Sequence, residues 1–170
     1  MKFGDNLTGS LLVAHPCLHD PNFRRTIVFI SQHCPQEGAT GFVLNRPIPV
    51  LPDAGVRVFF GGPVGSDESL LTSLQWRENP ALVAFRAFTD LADAAARQGW
   101  ERGLRIFEGY AGWSPGQLEQ EIEGNTWLVI PPTRELIEME EPHCAWRGIM
   151  QNSGPLLHLL SEAPDDPSMN

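Results

Sequence analysis

Residues 109–128 read GYAGWSPGQLEQEIEGNTWL. The run opens with apolar and aromatic residues that continue LRIFE at 104–108, a pattern that favours an extended strand. Pro115 suits the first turn of a helix. Ser114 with Gln117 forms a Ser-x-x-Gln capping box, so a helix is predicted over 114–122 with Ser114 as its N-cap. Gly124 ends that helix. Residues 126–130 (TWLVI) then form another strand, stopped by Pro131-Pro132. A strand, a capped helix and a strand in immediate succession give the chain a mixed α and β character.

The same rules extend outward. Residues 10–14 (SLLVA), 25–32 (RTIVFISQ), 40–44 (TGFVL) and 56–60 (VRVFF) read as strands rich in β-branched and aromatic side chains. A further strand is expected at 69–75, whereas 81–88 fits helix or strand. Residues 91–98 (LADAAARQ) predict a helix, with Asp90 as N-cap and Gly99 at its end. Weaker helical patterns follow at 144–151 and 156–161. Residues 48–55 are loop, and the polar tail from about 163 is expected to be mobile. Several inter-strand connections are too short for crossover helices, so the sheet should be mixed and largely antiparallel, the fold α+β (mixed α/β). A length of 170 residues fits one domain, 1–170.

The formal charge is −9 and the pI about 4.9. Lys2 is the only lysine, and Arg24-Arg25 the only adjacent arginine pair. Nucleic-acid binding draws on clustered cations that displace phosphate counterions, so direct contact with DNA or an anionic membrane is disfavoured. No apolar run approaches the roughly 20 residues that span a bilayer. The opening MKFGDNLTGS lacks the apolar core of an export signal, and the three widely spaced cysteines fit free thiols, so a cytoplasmic location is expected.

Four segments carry groups capable of chemistry. After Gly112 and Trp113 the first helical turn offers N–H groups to an anion; the competing reading has Ser114 and Gln117 satisfying them, Trp113 packing, and Glu119, Glu121 and Glu123 solvated. Gly61-Gly62 in FFGGPV permits close backbone approach or positive φ, but the chain has neither nucleotide-binding fingerprint. His15, Cys17, His19, Asp20, His33 and Cys34 are metal-ligand types without CxxC or any standard zinc spacing, so neither metal nor cofactor is expected. A nucleophilic role for Cys17 or Cys34 needs a geometry that sequence does not supply. Arg46 in GFVLNRP can grip a carboxylate or phosphate, or it can serve the protein's own structure while Asn45 makes a turn.

Taken in order, LLVAHPCLHDPNFRRTIVFISQH, GATGFVLNRP, FFGGPV and GYAGWSPGQLEQEIEGNTWL resemble the bacterial YqgE/AlgH family, as does the ending DDPSMN. The resemblance spans nearly the whole chain. It implies a mixed sheet partly closed into a barrel and surrounded by helices, in a cytosolic bacterial protein. The family carries a historical label of transcriptional regulator and implies no established catalytic residues. Two departures stand out. IPVLPDAG is shorter and richer in proline than the family's stretch after Asn-Arg-Pro, which implies a more open pocket, and His15 and Cys17 replace other residues.

The expectation from these readings is a non-enzymatic regulatory or interaction protein. It would hold a protein segment or a small anionic ligand on a surface made by Asn45, Arg46, Gly61, Gly62, Gly112, Trp113, Gln117 and Glu119. No catalytic residue is assigned. The alternatives are an enzyme, a hydrolase or transferase using Glu119, His33 or Cys34, and a transcriptional regulator without a strong basic surface.

Overall fold

The structure, a computed structural model, describes residues 6–49 and 55–164. Most of the predicted 48–55 loop and nearly all of the predicted mobile tail lie outside the described residues. Among the described residues eight strands form one sheet: β1 (Leu11–Ala14), β2 (Ile27–Cys34), β3 (Gly38–Val43), β4 (Arg57–Phe60), β5 (Val64–Arg77), β6 (Leu82–Phe88), β7 (Leu104–Trp113) and β8 (Trp127–Ile130). Their order is β6-β5-β7-β3-β2-β1-β8, with β4 attached to β7. Neighbours are antiparallel except β4 and β7, which run parallel.

The sheet is mixed and mostly antiparallel, but it is open. β6 and β8 are its two ends and do not pair, so the partial barrel implied by the resemblance is not formed. The cause is visible in β7. Its first half lies between β4 and β5, and its last residues pass to β3, so the strands branch there instead of returning on themselves.

Both faces of the central strands are buried, which accounts for unbroken apolar runs such as IVFI. Strict alternation along β1 and β2 sends Leu11, Val13, Ile27 and Phe29 to one core and Leu12, Ala14, Val28 and Ile30 to the other. The first core is covered by α3 (Arg134–Ile137), α4 (Pro142–Asn152) and α5 (Pro155–Ser161) through Ile137, Trp146, Met150 and Leu157. The second is covered by α2 (Gln117–Glu123) through Leu118 and Ile122. Phe85, Phe42, Phe107 and Phe59 form an aromatic row through the first core, with consecutive centroids 5.5, 4.7 and 6.1 Å apart.

Several local expectations change. The ambiguous 81–88 stretch is strand, because it hydrogen-bonds along β5. β5 is longer than expected, with a register shift between Val64 and Ser69. Helix α1 (Leu91–Ala95) keeps its Asp90 cap but is shorter than predicted, ending well before Gly99. The short α3 is additional; its signal is Thr133, whose hydroxyl accepts the Leu136 N–H. At α2 the capping residue is Gly116, in the left-handed region at φ 75°, not Ser114. Half of the expected box survives: Gln117 Oε1 reaches back to accept the Ser114 N–H at 3.0 Å. No helix among the described residues is long and apolar enough to cross a membrane.

Candidate functional site

The residues expected to form a binding surface are spread over the ends of β3, β4 and β7 and over α2, and much of their chemistry is directed inward. Asn45 is buried. Its Oδ1 accepts the Ile27 N–H at 2.8 Å and its Nδ2 donates to the Arg25 carbonyl at 2.9 Å. That bridge holds the backbone on either side of the Arg25–Thr26 link, where Arg25 sits at φ 56°. Arg46 donates to the carbonyls of Pro21, Asn22 and Arg24 at 3.0, 2.7 and 2.8 Å. Burial, then the Arg24 charge, pulls its pKa down, while Asp20 acts the other way. Arg46 thus pins residues 21–24 to β4, its guanidinium 5.9 Å from the Phe60 ring. Replacing Arg46 by alanine leaves three carbonyls without their charged donor and should cost about 2 kcal/mol. Lysine should restore little of it, since an ammonium lacks the spread of donors. Urea unfolding of both variants, with limited proteolysis at residues 21–24, checks this.

Gly61 and Gly62 lie where two backbones meet. The Gly61 carbonyl accepts the Val43 N–H and its own N–H donates to Glu108, both at 2.8 Å. Gly112 differs: it is exposed, and a Cβ there would make only ordinary contacts. Trp113 is buried against Phe23 and Trp127. Its indole N–H donates to Glu121 Oε2 at 2.9 Å, and the Trp127 indole donates to the same oxygen at 2.7 Å. Gln117 Nε2 donates to the other oxygen at 2.9 Å. Glu121, expected to be solvated, is therefore the polar centre of the second core, and nothing in sequence spacing pairs it with both tryptophans.

Glu119 also points inward. Its Oε1 lies 2.8 Å from His33 Nε2, while His33 Nδ1 accepts the Leu7 N–H at 3.0 Å, which assigns the remaining ring proton to Nε2. Both nitrogens of this buried imidazole are committed. Cys34, next in the strand, bonds Gln36 instead. Among the described residues no three His, Cys, Asp or Glu side chains gather in the manner of a metal site.

A different cavity, of about 420 Å³, opens where β4 and β7 meet α3 and the residues that follow it. Arg57, Phe59, Gln75, Arg102, Arg105, Arg134, Glu138 and Glu140 contribute to its lining. Its floor follows from register. Arg57 pairs with Arg105 and Phe59 with Phe107 on the parallel strands, so period two sets both arginines on the face of the buried phenylalanines. Both guanidiniums lie near the Phe59 ring, at 5.0 and 5.6 Å from its centroid. Arg105 donates to the Ile137 carbonyl at 3.1 Å. Burial first, then the Arg57 charge, lowers its pKa to about 10, so it is still a cation at neutral pH. Neither guanidinium has a carboxylate within ion-pair distance among the described residues. Gln75 donates to Ser73 Oγ and to the Gly99 and Arg102 carbonyls, but its buried Oε1 has no hydrogen-bond partner among the described residues. The sequence signal was present in duplicate, as Arg57-Val58-Phe59 and Arg105-Ile106-Phe107, arginines in phase with core aromatics.

A second, shallower groove of about 560 Å³ lies over β3 and β7. Gly112 and Trp113 are the members of the expected surface that line it, beside Cys34, Thr40 and Tyr110.

Comparison with known proteins places this geometry among relatives. Residues 11–158 match the family model described as AlgH-like. A UPF0301 protein of Thermobifida fusca is 35% identical over 195 residues, covering 97% of this chain and 96% of that one. A UPF0301 protein of Streptomyces avermitilis is 37% identical over 192 residues, with 97% and 96% covered. Among solved structures, the solution structure of the AlgH protein from Pseudomonas aeruginosa matches with a TM-score of 0.67 at 28% identity, covering 96% of this chain and 98% of the other. A crystal structure from Corynebacterium diphtheriae matches with a TM-score of 0.73 at 24% identity, covering 96% and 95%.

Proposed function

The chain belongs to the AlgH-like family, UPF0301, and within it we propose that this protein is a non-catalytic binder of a small anionic ligand, held in the cavity floored by Arg57 and Arg105. One observation carries the reading. Two arginines are set side by side in register at a cavity wall, in a chain with 21 acidic residues, yet neither has a carboxylate partner among the described residues. Like charges directly opposite one another across strands repel, and desolvation adds to the cost. An anion entering the cavity relieves both terms.

The corners around Asn45, Arg46, Gly61 and Gly62 then act as the frame that fixes β4 beside β7. A regulatory role, in which occupancy alters what the protein contacts, belongs to the same reading, with the groove over Gly112 and Trp113 as the place for a protein segment. The three free thiols support a cytoplasmic location. An enzyme is favoured by one observation, the His33–Glu119 pair; the engagement of both imidazole nitrogens supports a structural tether instead.

The test is Arg105→Met. Removing the cation ends its repulsion with Arg57 but leaves the Ile137 carbonyl without its donor, so the empty variant should lie within about 1 kcal/mol of the parent. Sulfate at low millimolar concentration, too dilute for general salt effects, should raise the melting temperature of the parent by a few degrees and that of the variant not at all. Equal sulfate responses in parent and variant would refute the reading.

A further inference from the structure

We propose that the outer edge of β6 is a docking site for an extended segment of a partner protein in which acidic and apolar residues alternate. The site is separate from the Arg57–Arg105 cavity and stands whether or not that cavity holds an anion. The two ends of the sheet differ. β8 has four residues and runs straight into Pro131-Pro132, which blunts it as a template. β6 has seven residues, pairs with β5 from Leu82 to Phe88 without a register shift, and carries no proline or lysine. Among the described residues its backbone hydrogen-bonds only to β5, so its outward N–H and C=O groups form an open row. Such a row accepts one more strand.

Register sets what each face of that strand would meet. Continuous alternation puts Leu82 and Arg86 of β6 on one face with Arg77 of β5, and Val83 and Phe85 on the other with Leu74 and Trp76. On the first face the Arg77 and Arg86 guanidiniums lie 4.5 and 5.8 Å from the Trp100 ring centroid. Neither arginine has a carboxylate partner among the described residues. Glu78, next to Arg77 in the chain, accepts the Trp76 indole N–H at 2.9 Å instead. Arg77, Arg86 and Trp100 are all partly exposed. On the second face Val83 and Phe85 are half-buried at the rim of the first core. An added strand keeps the same period of two. Its side chains on the first face meet cations, and those on the second extend an apolar core, so the fitting sequence alternates acid with apolar.

The local cations decide the match despite the net charge of −9, because charges farther away than about 8 Å are largely screened at physiological ionic strength. The same cations disfavour a second copy of this chain. Pairing two β6 edges about a two-fold axis into one sheet sets Arg77 and Arg86 of both copies on one face, where like charges repel. A small anion satisfies the arginines but leaves the ladder groups and the apolar rim unmet.

The experiment is calorimetric titration of the full chain with a peptide of alternating glutamate and valine long enough to span β6. That peptide should bind at least about tenfold more tightly than one of the same composition with its glutamates in a single block, and than an alternating lysine and valine peptide. The double substitution Arg77→Gln with Arg86→Gln should weaken binding about tenfold or more and flatten its salt dependence. N-methylation of the peptide reads the ladder without relying on the folding of any variant. Methyl groups on alternate nitrogens should abolish binding when they face β6 and spare it when they face solvent. Equal binding of the alternating and block peptides, equal binding by parent and double variant, or equal effects of the two N-methylation patterns would overturn the proposal. So would the absence of binding at about 1 mM peptide. Sedimentation of the parent as a dimer, with no peptide bound, would assign the edge to a second copy.

Discussion

Gly62→Ala is expected to destabilise the protein by about 4 kcal/mol or more. After β4 the chain crosses β7 backbone against backbone. A Cβ on Gly62 would overlap the Tyr110 carbonyl and the Ala111 nitrogen, and the residue sits at φ +156°, where L side chains are rare. The crowding is mutual: a Cβ on Gly61 would strike the Gly109 carbonyl, and one on Gly109 would strike the Gly62 carbonyl. The clashing atoms are main chain on both sides, so no rotamer change relieves them. Only separation of the two segments does, and that breaks the Gly61–Glu108 and Val43–Gly61 hydrogen bonds that tie β7 and β3 together through this crossing. Gly112→Ala is the internal control. Its nearest neighbours would be the Tyr110 ring at 3.5 Å and the Val64 side chain at 3.9 Å, and it should be close to neutral. Urea unfolding followed by circular dichroism decides the matter. A Gly62→Ala variant within about 1 kcal/mol of the parent would mean that the two backbones are not in contact.

The contrast between those glycines shows where the sequence is legible. Strand and helix positions follow from side-chain type and spacing, which are local, and so 10–14, 25–32, 40–44 and 126–130 are readable in advance. The crossover-free connections likewise announce an antiparallel sheet. Three glycine-bearing corners look alike in sequence, however, and only the tertiary crossing separates Gly61 and Gly62, which nothing else can replace, from Gly112, which has room to spare. The same limit applies to charge. Arg46 announces itself through the Asn-Arg-Pro corner, but its partners are carbonyls some two dozen residues earlier, invisible to any local rule. The arginines of the cavity were readable in principle, because each stands two residues before a core phenylalanine in a strand. What remained hidden was that parallel pairing of β4 with β7 would bring the two patterns into register. Openness of the sheet was hidden for the same reason: it depends on the branch at β7, a pairing choice and not a propensity.

Glu121→Leu is expected to cost about 2–6 kcal/mol, although the side chain lies only half buried on a short helix that looks solvated in sequence. Its Oε2 accepts from two indoles, at 2.9 Å from Trp113 and 2.7 Å from Trp127, and both tryptophans are buried. Leucine fills similar space and keeps the helical propensity, so the loss isolates the hydrogen bonds. Two donors that no longer reach an acceptor cost roughly 1–3 kcal/mol each, more where the lost acceptor carried charge. Glu121→Gln should lose less, about 1–2 kcal/mol, since the amide oxygen can take the place of Oε2 while its NH₂ group meets Gln117, whose own nitrogen must then turn away. The two tryptophans stand edge to face at 6.1 Å, and Phe23 is edge-on to Trp127 at 5.6 Å, so loosening the carboxylate loosens a whole aromatic cluster. Tryptophan emission of Glu121→Leu should shift to longer wavelength at urea concentrations where the parent is still native. Coincident emission and unfolding curves for Glu121→Leu and the parent would show that the indole N–H groups find other acceptors and that the carboxylate is not the centre of this core.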